Sequence, residues 1–188
     1  MEKQVTKLDL APVSPLPQRT ELYLERCKET LGIVPNVLRA YLFDITKFDA
    51  FVAMYNDVML GESGLTKLER EMVAVVVSSI NDCWYCQVAH GAAVRELSGD
   101  PALGETLVMN FRAAALDDRT RAMLDFAALV TQDSALVAES HRQALRDHGF
   151  SDRDIFDIIA VVAFFSMSNR IASATGMEPN PEYHSMAR

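Results

Sequence analysis

The segment "LTKLEREMVAVVVSSINDCWYCQVAHGAAVREL" (65–97) constrains the fold more than any other. Thr66 is followed three residues later by Glu69, a pairing in which a hydroxyl and a carboxylate satisfy the free N–H groups that open a helix. Behind it, ten residues from Met72 to Asn81 carry no charge. So apolar a run is either a buried strand or a helix buried on most sides. The capping pair and the charged opening "KLERE" predict a helix. Asn81-Asp82 breaks it, and Asp82 is placed to cap a second helix running from Cys83 to Leu97.

Similar punctuation recurs along the chain. "RTELYLERCKETLG" stops at Gly32, "PNVLRAYLF" opens on Pro35 in the first turn, and "FDAFVAMYNDVML" ends near Gly61. Asp100-Pro101 opens a further helix, Asp117 caps "DRTRAMLDFAALVTQ", and "ALVAESHRQALRDHG" ends at Gly149. Ser151 with Asp154 caps the last long helix, which stops near Gly176. Residues 1–18 are proline-rich and read as an extended arm lying on the domain or on a neighbour. No hairpin or βαβ pattern is present. The expectation is one all-α domain over residues 1–188, a bundle of helix pairs joined by short loops. Sliding the chain by 51 residues brings Leu65 onto Leu116, Arg70 onto Arg121, Met72 onto Met123 and His90 onto His141. This register suggests an internal repeat of helix pairs that share a shape but not a chemistry, since Glu71, Cys83 and Cys86 fall on Ala122, Ser134 and Val137.

Composition narrows the function. With 49% hydrophobic and 23% charged residues the chain is globular rather than disordered. A net charge of −8 repels phosphate backbones and anionic lipid, so neither nucleic acid nor a membrane is an expected partner. The longest apolar stretch, Ile155 to Phe165, is too short to span a bilayer and contains Asp157, and "MEKQVTKLDLAPVSPLPQ" lacks the apolar core of a secretory signal. A cytoplasmic protein is expected. In a reducing compartment a close cysteine pair leans toward metal or redox chemistry.

Cys83 and Cys86 form a C-x-x-C, with His90 four residues beyond the second cysteine. Structural zinc wants four ligands; these three with Glu71 would make an unusual set on two adjoining helices, and no second C-x-x-C exists. Buried cysteine can also be a small hydrophobe, which suits Cys27 among its apolar helical neighbours. A redox reading uses every feature. Both thiols would lie at the positive end of a helix, where thiolate is favoured. His90 shares the face of Cys86 and could take its proton, and Glu71, on the preceding helix, could serve as acceptor if partly buried. Against that, Glu69, Arg70 and Glu71 are consecutive, and a solvated face is the alternative.

Glu71, eleven intervening residues, Cys83-x-x-Cys86 and then His90 resemble the motif of the alkylhydroperoxidase D (AhpD) family, in the carboxymuconolactone decarboxylase-like superfamily. "GIVPNVLRAY", "RAMLDFAALVT" and "LRDHGFSDRDIFDIIAVVAFFSMSNRIASATG" extend the resemblance over nearly the whole chain, toward the branch of peroxidase-related proteins. It implies an all-helical homo-oligomer that reduces hydroperoxides with thiols. No cofactor or metal is implied beyond the cysteines, and a protein or lipoyl-type dithiol, or a thioredoxin-like reductant, would supply electrons. Carried over, Cys86 is the peroxidatic cysteine, Cys83 resolves it, and Glu71 and His90 relay protons. One departure is Tyr85, where AhpD has a histidine; a phenol cannot transfer a proton near neutral pH as an imidazole does. The alternatives are a general disulfide reductase, or a non-catalytic oligomer whose cysteines are a thiol sensor or core.

Trp84 and Tyr85 are candidates for lining an apolar substrate pocket. His141, His148 and His184 have no thiol near them in sequence and are given no catalytic role. Asn169 and Arg170 could reach the site from a neighbouring subunit, though capping or a salt bridge is the plainer use. "DIFDIIAVVAFFSMSN" is apolar nearly all round, so it is expected to be buried on every side, leaving other apolar faces to pack between subunits.

Overall fold

The computed structural model describes residues 4–188; no strand occurs among them. Nine α-helices run α1 (Gln18–Leu31), α2 (Asn36–Ala40), α3 (Ile45–Tyr55), α4 (Lys67–Ile80), α5 (Trp84–Ser98), α6 (Pro101–Asn110), α7 (Asp118–Asp133), α8 (Glu139–Asp147) and α9 (Asp152–Thr175) in the described residues. The protein is all-α, and residues 4–17 form a non-helical arm, as expected; Met1, Glu2 and Lys3 lie outside the described residues.

Helix starts follow the sequence because capping is local chemistry. Thr66 Oγ1 accepts the Glu69 N–H at 3.1 Å, and Glu69 Oε2 accepts the Thr66 N–H at 2.7 Å. Asp100, Asp117 and Ser151 cap α6, α7 and α9 in the same manner. Each such cap is worth about 0.5–2 kcal/mol. Gly32 and Gly176 close α1 and α9 with positive φ, which costs a residue without Cβ least.

Asp82 does not cap α5. Its backbone is left-handed (φ 50°), and its N–H reaches Ser79 O at 3.1 Å while the Cys83 N–H reaches Ser78 O at 2.9 Å. These two bonds wrap up the C-terminus of α4, a closure that consumes Asp82. The N-cap of α5 is therefore Cys83, whose carbonyl accepts the first helical bond from Gln87.

The centre of the bundle is α4, which touches α5, α6, α7 and α9. Val73 to Ser78 are completely buried, and each valine contributes about 1.5–3 kcal/mol. The three consecutive charges Glu69, Arg70 and Glu71 are all buried and do not form the solvated face that was the alternative. Glu69 pairs with Arg119 of α7, Arg70 Nη1 donates to Gly61 O at 2.9 Å, and Glu71 meets His90. Being surrounded, α4 finds a partner for a side chain on each face.

Because α4 takes the centre, α9 lies on its flank and is not buried on every side. Phe156 is 66% and Met167 44% exposed, with Ala163 exposed between them. At 24 residues α9 is also longer than the apolar stretch read from the sequence: by length and composition it could cross a membrane, but half of its most apolar window is buried in the bundle.

A shift of 51 residues carries the Thr66 cap onto the Asp117 cap and the Asp100 cap onto the Ser151 cap, so α4–α5–α6 and α7–α8–α9 repeat one plan. Arg70 and Arg121 perform the same task in each, binding carbonyls at the end of the preceding helix; Arg121 Nη1 reaches Phe111 O at 3.0 Å. In the first unit α5 and α6 cross so closely that a Cβ on Gly104 would lie 2.6 Å from Arg95 Cγ. Beyond α9 the chain folds back. Asn180 accepts the Asn36 N–H at 2.7 Å and donates to Val34 O at 3.0 Å, and Arg95 holds the carbonyls of Tyr183 and Met186.

Candidate active site

The α4 closure that uses up Asp82 puts a sulfur where a helix usually carries an oxygen cap. The two sulfurs are buried and interact with each other, and the Cys83 side chain makes no capping hydrogen bond to the helix it opens. Ser173 of α9, and nearby His90 through its charge when protonated, also favour the Cys83 anion. The Cys83 thiol is accordingly pushed down to about 6, chiefly by the hydrogen bond from Cys86 and against the effect of burial. Cys86 is pushed up, because its proton is the one held between the two sulfurs and because it is buried. At neutral pH the pair thus carries one negative charge, resting on Cys83. Side chains of Ser168 and Asn169 on α9 act on Cys86 in the opposite direction, favouring its anion.

One turn along α5, His90 Nδ1 lies 2.6 Å from Glu71 Oε2 of α4. Both side chains are nearly buried, and the His90 ring stands edge-on to Phe165 at 4.5 Å between centroids. When Nδ1–H donates to the carboxylate, Nε2 is left with a lone pair, the tautomer a proton acceptor needs. Glu71 and His90 thus meet across α4 and α5, and Cys83 and Cys86 pack together at the start of α5, with His90 one turn beyond Cys86 and near enough to act on Cys83 through its charge. Among the described residues, no group of three or more His, Cys, Asp and Glu side chains is placed to hold a metal ion.

A cleft of about 330 Å³ lies over Cys83, which is itself completely buried, with Trp84, Tyr85, Ala172, Ser173 and Met177 in its walls and Lys7 and Glu178 among its lining. Trp84 is 58% exposed and stands between this cleft and a second one near Arg95 and His184. Tyr85 borders the cleft, but its hydroxyl turns inward. It accepts the Val37 N–H at 3.1 Å and hydrogen-bonds Tyr183 of the folded-back tail. Burial pushes the Tyr85 phenol well up, so it stays protonated and acts as a pin between α5, α2 and the tail.

His141 Nδ1 accepts the Ala138 N–H at 2.9 Å at the exposed start of α8, a capping use far from any thiol contact. Cys27 is half-buried on α1, with its thiol pushed up by burial. Asn169 belongs to the site of its own chain rather than a neighbour's, and Ser168 and Ser173 join it. Their signal was faint: polar side chains at positions 168, 169 and 173 that interrupt an otherwise apolar helix.

The sequence model of the carboxymuconolactone decarboxylase family matches residues 47–102 and again residues 102–177. The chain belongs to the carboxymuconolactone decarboxylase family. The first match covers α3, α4 and α5, and the second runs from α6 through α9. The AhpD-like resemblance is upheld by solved relatives. A peroxidase-related protein from Silicibacter sp. TM1040 is 64% identical over 99% of this chain and 97% of its own, with a TM-score of 0.96. An alkylhydroperoxidase AhpD core, a peroxidase-related protein from Ralstonia eutropha JMP134, is 40% identical over 98% of this chain and 97% of its own, with a TM-score of 0.94. The debrominase Bmp8 shares the fold at 17% identity, covering 97% of this chain and 95% of its own, with a TM-score of 0.77. No match is found among curated proteins.

Proposed function

We propose that this family member is a thiol-dependent peroxidase that reduces hydroperoxides through the Cys83–Cys86 pair. The observation that carries the reading is the buried, unbridged Cys83–Cys86 pair at the N-terminus of α5, one turn from the 2.6 Å contact between Glu71 and His90; the Cys86 proton is the one the two sulfurs hold between them. Passing that proton from Cys86 to Cys83 places the thiolate on Cys86. The Cys86 sulfur attacks the peroxide, the O–O bond breaks, and a sulfenic acid forms as an alkoxide leaves. The alkoxide takes its proton from His90 Nε2, which accepted it when the Cys83 thiol ionised; Glu71 orients the ring for both transfers. Cys83 then attacks the sulfenic sulfur, a disulfide forms, and water departs. A dithiol, protein-borne or lipoyl-type, restores the pair by approaching through the cleft on the Cys83 side.

The same cleft supports a second reading, general disulfide reduction, in which the peroxide is replaced by a substrate disulfide. Retention of the reduced pair fits a cytoplasmic setting. The outward face of α9, with Phe156, Ala163 and Met167, fits a homo-oligomer. Light scattering that gives a monomer mass at micromolar concentration would remove that part of the proposal.

Stopped-flow consumption of a simple alkyl hydroperoxide, with a dithiol as reductant, tests the main reading. Glu71→Gln is expected to slow turnover by roughly ten- to a hundredfold, with the loss concentrated in kcat. Trapping of a sulfenic acid on Cys86 in Cys83→Ser supports the order of attack, and trapping on Cys83 in Cys86→Ser instead reverses it. Peroxide left untouched while a small disulfide is reduced favours the second reading.

A further inference from the structure

Asn169 lies deep in the bundle, 1% exposed, and every polar atom of its side chain is committed. Its Oδ1 accepts the Asn81 side-chain N–H at 3.0 Å. Its Nδ2 donates to Ser78 Oγ at 3.0 Å, and Ser78 in turn donates to Ala74 O at 2.7 Å. That chain of donors and acceptors fixes the direction of the amide, because Ser78 has already given away its only hydroxyl proton. With the oxygen occupied and one N–H spent on Ser78, a second N–H remains. Cys86 shares a packed cluster with Ala172, about one turn further along α9, and the side chains of Asn169 and the adjacent Ser168, 5% exposed, both act to favour the Cys86 anion. A buried amide anchored on two sides next to a sulfur is costly to place, and neither capping nor a salt bridge explains it.

We propose that Asn169 and Ser168 form a two-donor cradle for the Cys86 sulfur, which makes Cys86 the leaving thiolate when an external thiol opens the Cys83–Cys86 disulfide. This rests on the redox reading above. The electron count is simple. A thiolate of the dithiol reductant bonds to the Cys83 sulfur, the Cys83–Cys86 bond breaks, and its electron pair departs on Cys86. Cys83 is then neutral and no longer accepts the Cys86 proton, so the interaction that keeps Cys86 protonated in the resting pair is gone. What still faces Cys86 is the cradle from α9, with Tyr85 beside it on α5 and the Glu71–His90 pair from α4 and α5. Attack is directed to Cys83 both by the cleft and by the better leaving group behind it.

Cys83→Ser isolates Cys86 and imitates a Cys83 that cannot carry charge. In that background the pH dependence of Cys86 alkylation by iodoacetamide, read by peptide mass so that Cys27 is counted separately, reports the ionisation of Cys86 without any peroxide. Adding Asn169→Leu, which keeps the volume and removes the donor, is expected to move the midpoint upward and to slow alkylation at neutral pH by roughly tenfold. Ser168→Ala is expected to move it the same way by less, and it leaves the ties to Ser78 and Asn81 untouched; if Asn169→Leu does not fold, this variant decides alone. Loosened packing would change the rate at every pH and leave the midpoint in place, and that result, or superimposed profiles, overturns the cradle. Since no turnover enters the measurement, a failed peroxidase assay with a moved midpoint sinks the proposed function alone. An active peroxidase with an unmoved midpoint sinks the cradle alone.

Discussion

Residues 65–97 and 116–148 share one plan and have opposite fates. Each begins with a capped helix, carries an arginine that binds the carbonyls of the helix before it, and continues to a histidine at the matching place. In the first unit α5 is a single 15-residue helix packed along α4; in the second its counterpart is a 3-10 turn, Ser134–Leu136, and the nine-residue α8. His90 is nearly buried against Glu71, whereas His141 is exposed and caps its own helix. Arg95 is buried and binds the returning tail, whereas Arg146 lies at the surface between Glu139 and Asp152. Asp82 closes α4 in a left-handed conformation, and Asp133 instead accepts the Ala135 N–H at 3.1 Å. The shared plan supplies shape; burial and a few side chains on one copy supply the chemistry.

The comparison breaks most plainly at the sulfurs. Cys86→Ser is expected to reduce peroxide consumption by roughly a thousandfold or more, while His141→Ala in the second unit leaves it unchanged. Steady-state peroxide assays check both, and an equal loss in the two variants would mean that the repeats do not divide the work as described.

Titration gives the next largest contrast. Because the folded Cys83 thiol lies at about 6, below its ordinary value, its thiolate fraction grows as pH rises through 6 and is nearly complete at neutral pH. Burial moves Cys27 the other way, so it ionises only in alkaline solution. Thiolate absorbance should therefore show one group ionising near pH 6 in the wild type, absent in Cys83→Ser and retained in Cys27→Ala. Alkylation at neutral pH is expected to favour the pair over Cys27 by roughly a hundredfold.

Removing the matched arginines sharpens the comparison in stability. Arg70→Ala removes a buried guanidinium and its bond to the half-buried carbonyl of Gly61, and should cost about 2–4 kcal/mol. Arg121→Ala, at a partly exposed position, should cost about 1–2 kcal/mol, as measured by urea unfolding. The smallest effect carries a difference of sign. Asp82→Gly relieves a positive φ and should stabilise by about 0.5–1 kcal/mol, whereas Asp133→Gly loses a cap and should destabilise by a similar amount.

Features set by a few neighbouring residues were legible in the sequence. The Thr66, Asp100, Asp117 and Ser151 caps and the glycine stops all fall where read, because each is satisfied within a turn of chain. The meeting of Glu71 with His90, one turn beyond Cys86, followed from spacing on two helices that fold back on each other. Asp82 was misread because two helices compete for it: the closing of α4 and the opening of α5 overlap by one residue, and only their relative geometry decides. The centrality of α4 over α9 was hidden for a similar reason. Both are apolar, and periodicity says which residues seek burial, not which helix ends up surrounded. Tyr85 looked like a defective relay, but its role as a pin depends on Val37 and Tyr183, distant in sequence.

The central claim is that Cys83 and Cys86 are a working redox pair and Cys27 is not. Reduced protein treated with one equivalent of alkyl hydroperoxide, quenched by acid and mapped by peptide mass tests it most directly. The account predicts rapid loss of two thiols per chain as a Cys83–Cys86 disulfide, an intact Cys27 thiol, and full recovery of both thiols on adding a dithiol. Oxidation that falls on Cys27, or a pair that remains reduced while peroxide persists, would contradict it.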